Sequence, residues 1–213
     1  FAALKEDGSV VMWGDSSFED NIDLVKNQLS SGVKEIFSNN ISKGGQYSFA
    51  VLKEDGSVVT WGEPDAGGDS SSVSSQLSSG VKEIFTNYSR RVYAALKEDG
   101  SVVTWGNNTD GSDSRSVSDG LSSGVKEIFS NGNSFVALKE DGSVVTWGDP
   151  ESGGDSSSVS DELSSGVREI FSNDWNVYAA LKEDGSVVTW GDPHSGGDSS
   201  SVSDELSSGV KEI

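Results

Sequence analysis

The sequence predicts an all-β fold: a β-propeller of five repeats, each blade a three- to four-stranded antiparallel sheet. Three observations predict it. A phrase close to Ala-Leu-Lys-Glu-Asp-Gly-Ser-Val-Val-Thr-Trp-Gly occurs five times, with its tryptophan at Trp13, Trp61, Trp105, Trp147 and Trp190. Those tryptophans lie 48, 44, 42 and 43 residues apart, a period that belongs to solenoids, propellers and repeat arrays. Within each period the apolar residues form short runs bounded by turn residues, too short for ordinary helices.

The elements follow in order along one repeat, residues 164–191. Val167 to Phe171 is the first apolar run, preceded by Ser-Ser-Gly. Val177 to Leu181 is the second, and Ser186 to Trp190, rich in β-branched and aromatic residues, is the third. Asp184-Gly185 separates the second run from the third. An Asp-Gly pair between two apolar runs is the strongest short hairpin signal, because glycine accepts a positive φ without steric cost. The polar stretch after Trp-Gly holds Ser201-Val202-Ser203, read as a short fourth strand at the blade edge. Apolar residues occupy both faces of the third run, as at Val103 and Trp105 against Val102. A sheet buried on both faces is sandwiched between others, and radial stacking of small sheets achieves this with short, protected edges. The repeated tryptophan is therefore expected to pack between blades.

Phe1-Ala2-Ala3-Leu4 matches Tyr178-Ala179-Ala180-Leu181, and Val210-Lys211-Glu212-Ile213 matches the start of a first run. The ring is therefore expected to close by pairing the N-terminal strands with the C-terminal strand. Residues 1–213 read as one propeller domain, and a first residue inside a repeat suggests a fragment of a longer repeat protein.

Composition narrows the partners. The net charge is −20 and the sequence pI about 4.2, whereas phosphate binding needs a positive footprint. Nucleic acid is excluded on this ground and anionic membranes are disfavoured. No run approaches the ~20 apolar residues of a membrane-spanning helix, so no membrane insertion is expected. The absence of cysteine removes disulfides, thiol chemistry and cysteine metal sites.

The pattern Ala-Leu-x-x-Asp-Gly-x-Val-x-x-Trp-Gly, followed by a polar loop and Gly-Val-x-x-Ile, resembles the repeat of the regulator of chromosome condensation family. It is similar in style to the bacterial propeller-type β-lactamase inhibitory proteins. The resemblance covers essentially all of residues 1–213. It implies a propeller, usually of seven blades, that acts by binding a protein. The chain departs from the pattern in having five copies, in its acidity, and in carrying Gly67 to Ser72 where Gly-Gln-Leu-Gly often stands. No activity of that family is carried over to a residue here.

Positions that differ between copies mark where recognition could be specific. Simple antiparallel alternation puts the Asp-Gly hairpins on one rim and the variable connections on the other. The variable set includes Phe18, Tyr88, Arg90, Arg91, Asn133, Trp175 and His194. Tryptophan, tyrosine and arginine are enriched at binding hot spots, and loops on a rigid scaffold commonly carry recognition. Trp175 lies in a four-residue polar stretch, where an exposed indole is disfavoured without a use.

Catalytic chemistry is not expected. Each repeated Glu-Asp belongs to a hairpin turn, His194 is the one histidine, and a lone histidine lacks the convergent partners a site needs. No phosphate loop or nucleophile elbow is present. Glu19-Asp20-Asn21-Ile22-Asp23 is acidic but lacks an EF-hand pattern, so no metal or other cofactor is expected. The reading is a non-catalytic module that binds a protein partner through the variable rim, in an extracellular or cell-surface setting. A glycan-binding propeller and a structural spacer of a large surface protein are the alternatives.

Overall fold

Repeated antiparallel meanders make up the chain in a computed structural model, which describes residues 1–14, 23–40, 47–87, 89, 91–107, 114–173 and 175–213. There are fourteen strands among the described residues. The first sheet holds β1 (Ala2–Leu4) and β2 (Val10–Met12). Four three-stranded sheets follow, each in simple meander order. They comprise β3 (Val33–Asn40), β4 (Tyr47–Lys53) and β5 (Val58–Gly62); β6 (Val81–Asn87), β7 (Val92–Lys97) and β8 (Val102–Gly106); β9 (Val125–Ser130), β10 (Ser134–Lys139) and β11 (Val144–Gly148); and β12 (Val167–Asn173), β13 (Val177–Lys182) and β14 (Val187–Gly191). This is the all-β blade architecture of a propeller, one blade per repeat.

The chain forms two compact units, Phe1–Asp99 with Val103–Asn107, and Gly100–Val102 with Asn108–Ile213. In the first unit, Leu29, Val33, Val51, Val59 and Trp61 form one core, with Ala2, Val10 and Met12 packed against it. Ala50, Leu52, Leu77, Ile84, Tyr93, Val103 and Trp105 form the next. In the second unit, Val136, Leu138, Leu163, Ile170, Tyr178, Ala180 and Trp190 form the equivalent core. The middle strand of each complete blade is its most buried strand, which explains its near-continuous apolar sequence.

The repeated tryptophan has the expected packing role. It pairs across the sheet with an aromatic residue near the start of the second strand, as Phe49 opposite Trp61 and Tyr178 opposite Trp190. The ring pairs stack, with centroids 5.0 Å apart for Phe49–Trp61 and 5.4 Å for Tyr178–Trp190. Such pairs contribute about 0.5–1.5 kcal/mol beyond area burial. The Trp105 and Trp190 indoles also donate to the carbonyls of Gly67 and Gly153 in the preceding repeat, at 3.2 and 3.0 Å.

Neighbouring repeats are joined through their fixed turns. The N–H of the first-strand valine donates to the hairpin-glycine carbonyl of the repeat before it: Val33 to Gly8, Val81 to Gly56, Val125 to Gly100, Val167 to Gly142, and Val210 to Gly185. The contact explains the hairpin glycine of the repeat. Gly142 has φ +77, and a Cβ there would lie 2.9 Å from the Gly166 nitrogen.

One expectation is corrected. Ser201-Val202-Ser203 is not a strand; Ser200–Val202 is a 3-10 turn, as are Ser71–Val73 and Ser157–Val159. The preceding aspartate decides this, because Asp198, Asp155 and Asp69 each accept the backbone N–H two residues on. That local bond competes with strand pairing, so the complete blades have three strands. Among the described residues β1 pairs with β2 alone, and 210–213 belong to no strand. Trp13 is 56% exposed, whereas the other four repeat tryptophans are buried. No helix of the described residues is long and apolar enough to cross a membrane.

Candidate functional site

The rim opposite the Asp-Gly hairpins is assembled from two variable segments per blade. The residue after Trp-Gly donates its N–H to the carbonyl of the residue at or next to the start of the second strand: Glu63 to Tyr47, Asn107 to Arg91, Asp149 to Asn133, and Asp192 to Asn176, at 2.8–3.1 Å. Both variable connections of a blade thus begin side by side. The second connection then leaves this rim and ends at the hairpin rim, where its Ser-Ser-Gly meets the Asp-Gly turn.

Four candidate residues are described. Trp175 is 72% exposed, on a turn that Asn173 organises. The Asn173 Oδ1 accepts the N–H groups of Trp175 at 2.9 Å and Val177 at 3.3 Å. Asn176 follows with φ +65, a conformation asparagine tolerates better than most residues. Asn133, half-buried, donates from Nδ2 to the Asn176 Oδ1 at 2.7 Å. His194 is exposed on the 3-10 turn Pro193–Ser195, where its N–H donates to Asp192 Oδ1 at 3.0 Å. Because Asp192 also bonds Asn176, the second unit brings Asn133, Trp175, Asn176 and His194 into one stretch of rim. Arg91 occupies the matching position in the first unit, with φ +62, and its N–H donates to the Asn87 carbonyl at 2.8 Å. A positive φ is uncommon for arginine and marks local strain. Phe18, Tyr88 and Arg90 lie outside the described residues, as do residues 19–22 of the acidic segment.

Sequence reasoning missed the turn-forming roles of Asn173 and Asn176. Their signal was present as Asn at a hairpin end, a residue that bonds its own backbone two residues on. It also missed a cleft of about 240 Å³ on the hairpin rim of the second unit, lined by Lys126, Lys139, Glu140, Asp141, Arg168 and Glu183 among others. Two of these charged side chains are engaged in holding turns of the fold. Lys139 Nζ donates to the Gly120 carbonyl at 3.1 Å, and Asp141 Oδ1 accepts from the Ser143 N–H and hydroxyl at 2.9 and 2.6 Å.

The same Asp–Ser pair holds three other hairpins, at Asp7, Asp55 and Asp184. The serine hydroxyl and then its N–H lower each carboxyl, to about 2 for Asp7. A general acid needs the opposite shift, so these aspartates act as turn locks. No cluster of three or more metal-ligating His, Cys, Asp or Glu occurs among the described residues.

Fold and rim together define a class: an all-β repeat protein of propeller blades with a fixed hairpin rim and a variable opposite rim. The chain is similar to several solved structures. One is Prp20p from Saccharomyces cerevisiae, described with its binding to Gsp1p and histones, at 18% identity over 80% of this chain and 45% of that one, with a TM-score of 0.41. A second is yeast RCC1 (Prp20) in complex with Kap60, at 17% identity over 80% and 44%, with a TM-score of 0.41. A third is the computationally designed Ika8 protein, at 16% identity over 89% and 54%, with a TM-score of 0.32. The chain spans about half the length of these structures. No protein-family model matches it, and no curated protein matches it.

Proposed function

We propose that the chain is a non-catalytic module that binds a protein through the variable rim, with the Trp175 turn as its anchor in the second unit. The observation that supports this is an indole exposed to 72% on a turn whose backbone is fixed by Asn173. A rigid, exposed aromatic loses little conformational freedom on burial, which is the physical basis of a hot spot. Asn133, Asn176 and His194 supply polar groups around it.

Capture by the immobilised chain, with bound proteins identified by mass spectrometry, tests the proposal. Trp175→Ala is expected to reduce capture of a specific partner tenfold or more. Glu183→Gln on the hairpin rim should leave it unchanged. Equal capture by Trp175→Ala and the parent chain would overturn the assignment. An exposed indole beside side-chain amides also suits a sugar ring, and a glycan array probed at high valency separates this second reading from the first.

A further inference from the structure

On the variable rim of the second unit, the exposed Trp175 indole stands among carboxylates. Asn176, next to it, accepts the Asp192 N–H at its carbonyl and the Asn133 amide at its Oδ1, at 3.0 and 2.7 Å. The Asn133 carbonyl in turn accepts the Asp149 N–H at 3.1 Å. Asp192 therefore flanks the Trp175 turn within its own blade. Asp149, with Glu151 two residues on, flanks it from the blade before. Glu151 is exposed, and both aspartates are half-buried. Each aspartate caps a 3-10 turn: Asp149 accepts from the Glu151 N–H and the Ser152 hydroxyl, and Asp192 from the His194 N–H and the Ser195 hydroxyl. All four bonds are donated to the carboxylates, so they leave the negative charges in place. The Ser195 hydroxyl and then the His194 N–H hold the Asp192 carboxyl below its usual range.

The positive side chains of the second unit stand elsewhere. Its described residues include six lysines and arginines. Lys126, Arg168 and Lys211 each follow the valine whose N–H bonds a hairpin glycine. The carbonyls of Lys139 and Lys182 accept the N–H groups of Gly142 and Gly185 in the same turns. These five belong to the hairpin rim. Arg115 opens the 3-10 turn Arg115–Val117, partway along the second connection. Among the described residues, the stretch around Trp175 thus combines an indole with three carboxylates and has no lysine or arginine of its own.

We infer that the Trp175 stretch takes its partner through a segment bearing lysine or arginine, with one cation over the indole and its neighbours against Asp149, Glu151 and Asp192. This rests on the reading of Trp175 as the anchor and names what the anchor recognises. An ammonium or guanidinium group is drawn to an indole face by the ring quadrupole. Carboxylates on both flanks add an attraction that a neutral segment does not gain and that turns an acidic segment away. The charge complementarity belongs to the second unit, because the first carries Arg91 at the place of Asn176.

Fluorescence anisotropy of a dye-labelled peptide of glycine alternating with arginine and lysine tests this, beside matched peptides carrying glutamine or glutamate instead. The full chain is expected to bind the basic peptide saturably and about tenfold or more tightly than the glutamine peptide. That preference should shrink as salt is raised. Asp149→Asn, Glu151→Gln and Asp192→Asn together remove the rim charges, while each asparagine keeps an oxygen for its cap. This variant should bind the basic peptide about tenfold more weakly. A control with Glu127→Gln, Glu140→Gln and Glu183→Gln removes as many charges from the hairpin rim and should bind as the parent does. Circular dichroism checks that each variant is folded. Equal weakening by both sets would overturn the inference, because it assigns the attraction to the overall charge of −20. Equal affinity for the basic and glutamine peptides would do the same. Trp175→Ala separates the inference from the reading beneath it. If Trp175→Ala weakens peptide binding and the rim-charge variant does not, the anchor stands and the basic segment is wrong. If only the rim-charge variant weakens it, Trp175 is not the anchor and both fall.

Discussion

Tyr178 shows how one hydroxyl ties two repeats. Its phenol donates to the Ser134 carbonyl at 2.9 Å and accepts the Asn131 N–H at 3.2 Å, inside a buried site. Tyr178→Phe keeps the ring stacked on Trp190 but removes the shorter bond of each backbone group, leaving them the 3.4 Å bond from the Asn131 N–H to the Ser134 carbonyl, a loss of about 0.5–1.5 kcal/mol measurable by urea unfolding. Burial raises the Tyr178 phenol from 10.0 to about 12, against the lowering effect of its bond to Ser134. A folded value above the unfolded one means that the unfolded chain releases its proton first. The contribution is intact below pH 10 and is lost as pH rises towards about 12. The unfolding midpoint is expected to fall across that window, and less steeply in Tyr178→Phe. The sequence showed the aromatic and the tryptophan but not this bond, because the serine lies 44 residues away and only the packing of consecutive blades brings it near.

Hairpins were the most legible elements, since Asp-Gly between apolar runs carries its own turn chemistry. The closeness of the two repeated glycines was not legible, because it belongs to the contact between blades. It predicts unequal costs for the same change. Gly142→Ala meets both a positive φ and the Gly166 backbone, whereas Gly209→Ala, at φ +78, meets nothing within 4 Å. The second substitution should cost about 1–2 kcal/mol for backbone conformation alone. The first should cost more, and comparing the two unfolding free energies isolates the contact. The serine-rich stretch misled the strand reading for a physical reason: Ser-Val-Ser has strand composition, but the aspartate two or three residues before it captures the backbone first. The candidate rim was legible as a set of differing residues. The bonds from Asp192 to Asn176 and from Asn133 to Asn176, which gather four of those residues, needed the structure.

At the scale of the whole chain, stability is built from repeat and nearest-neighbour terms, as in other quasi-one-dimensional repeat proteins. The period alone disclosed this level, through five copies of one phrase. The acidity disclosed another property: 35 carboxylates against 15 lysines and arginines repel one another in the compact state. Raising ionic strength from about 0.01 to about 0.5 M shortens the Debye length from roughly 30 Å to a few ångströms. The thermal midpoint is expected to rise over that range, followed by circular dichroism at fixed protein concentration.

The hydroxyl contact between repeats has a consequence for how such a chain can lengthen. Repeats with Ser48 and Ser134 alternate with repeats carrying Tyr93 and Tyr178, so adjacent copies are not interchangeable. Duplicating or deleting one copy would bring a phenol against valine, or leave a serine facing a ring with no oxygen. Duplicating two keeps every partner in place. The heritable unit of growth is then a pair of blades, some 85 residues long, and unequal crossing-over that respects this pairing changes copy number by even steps.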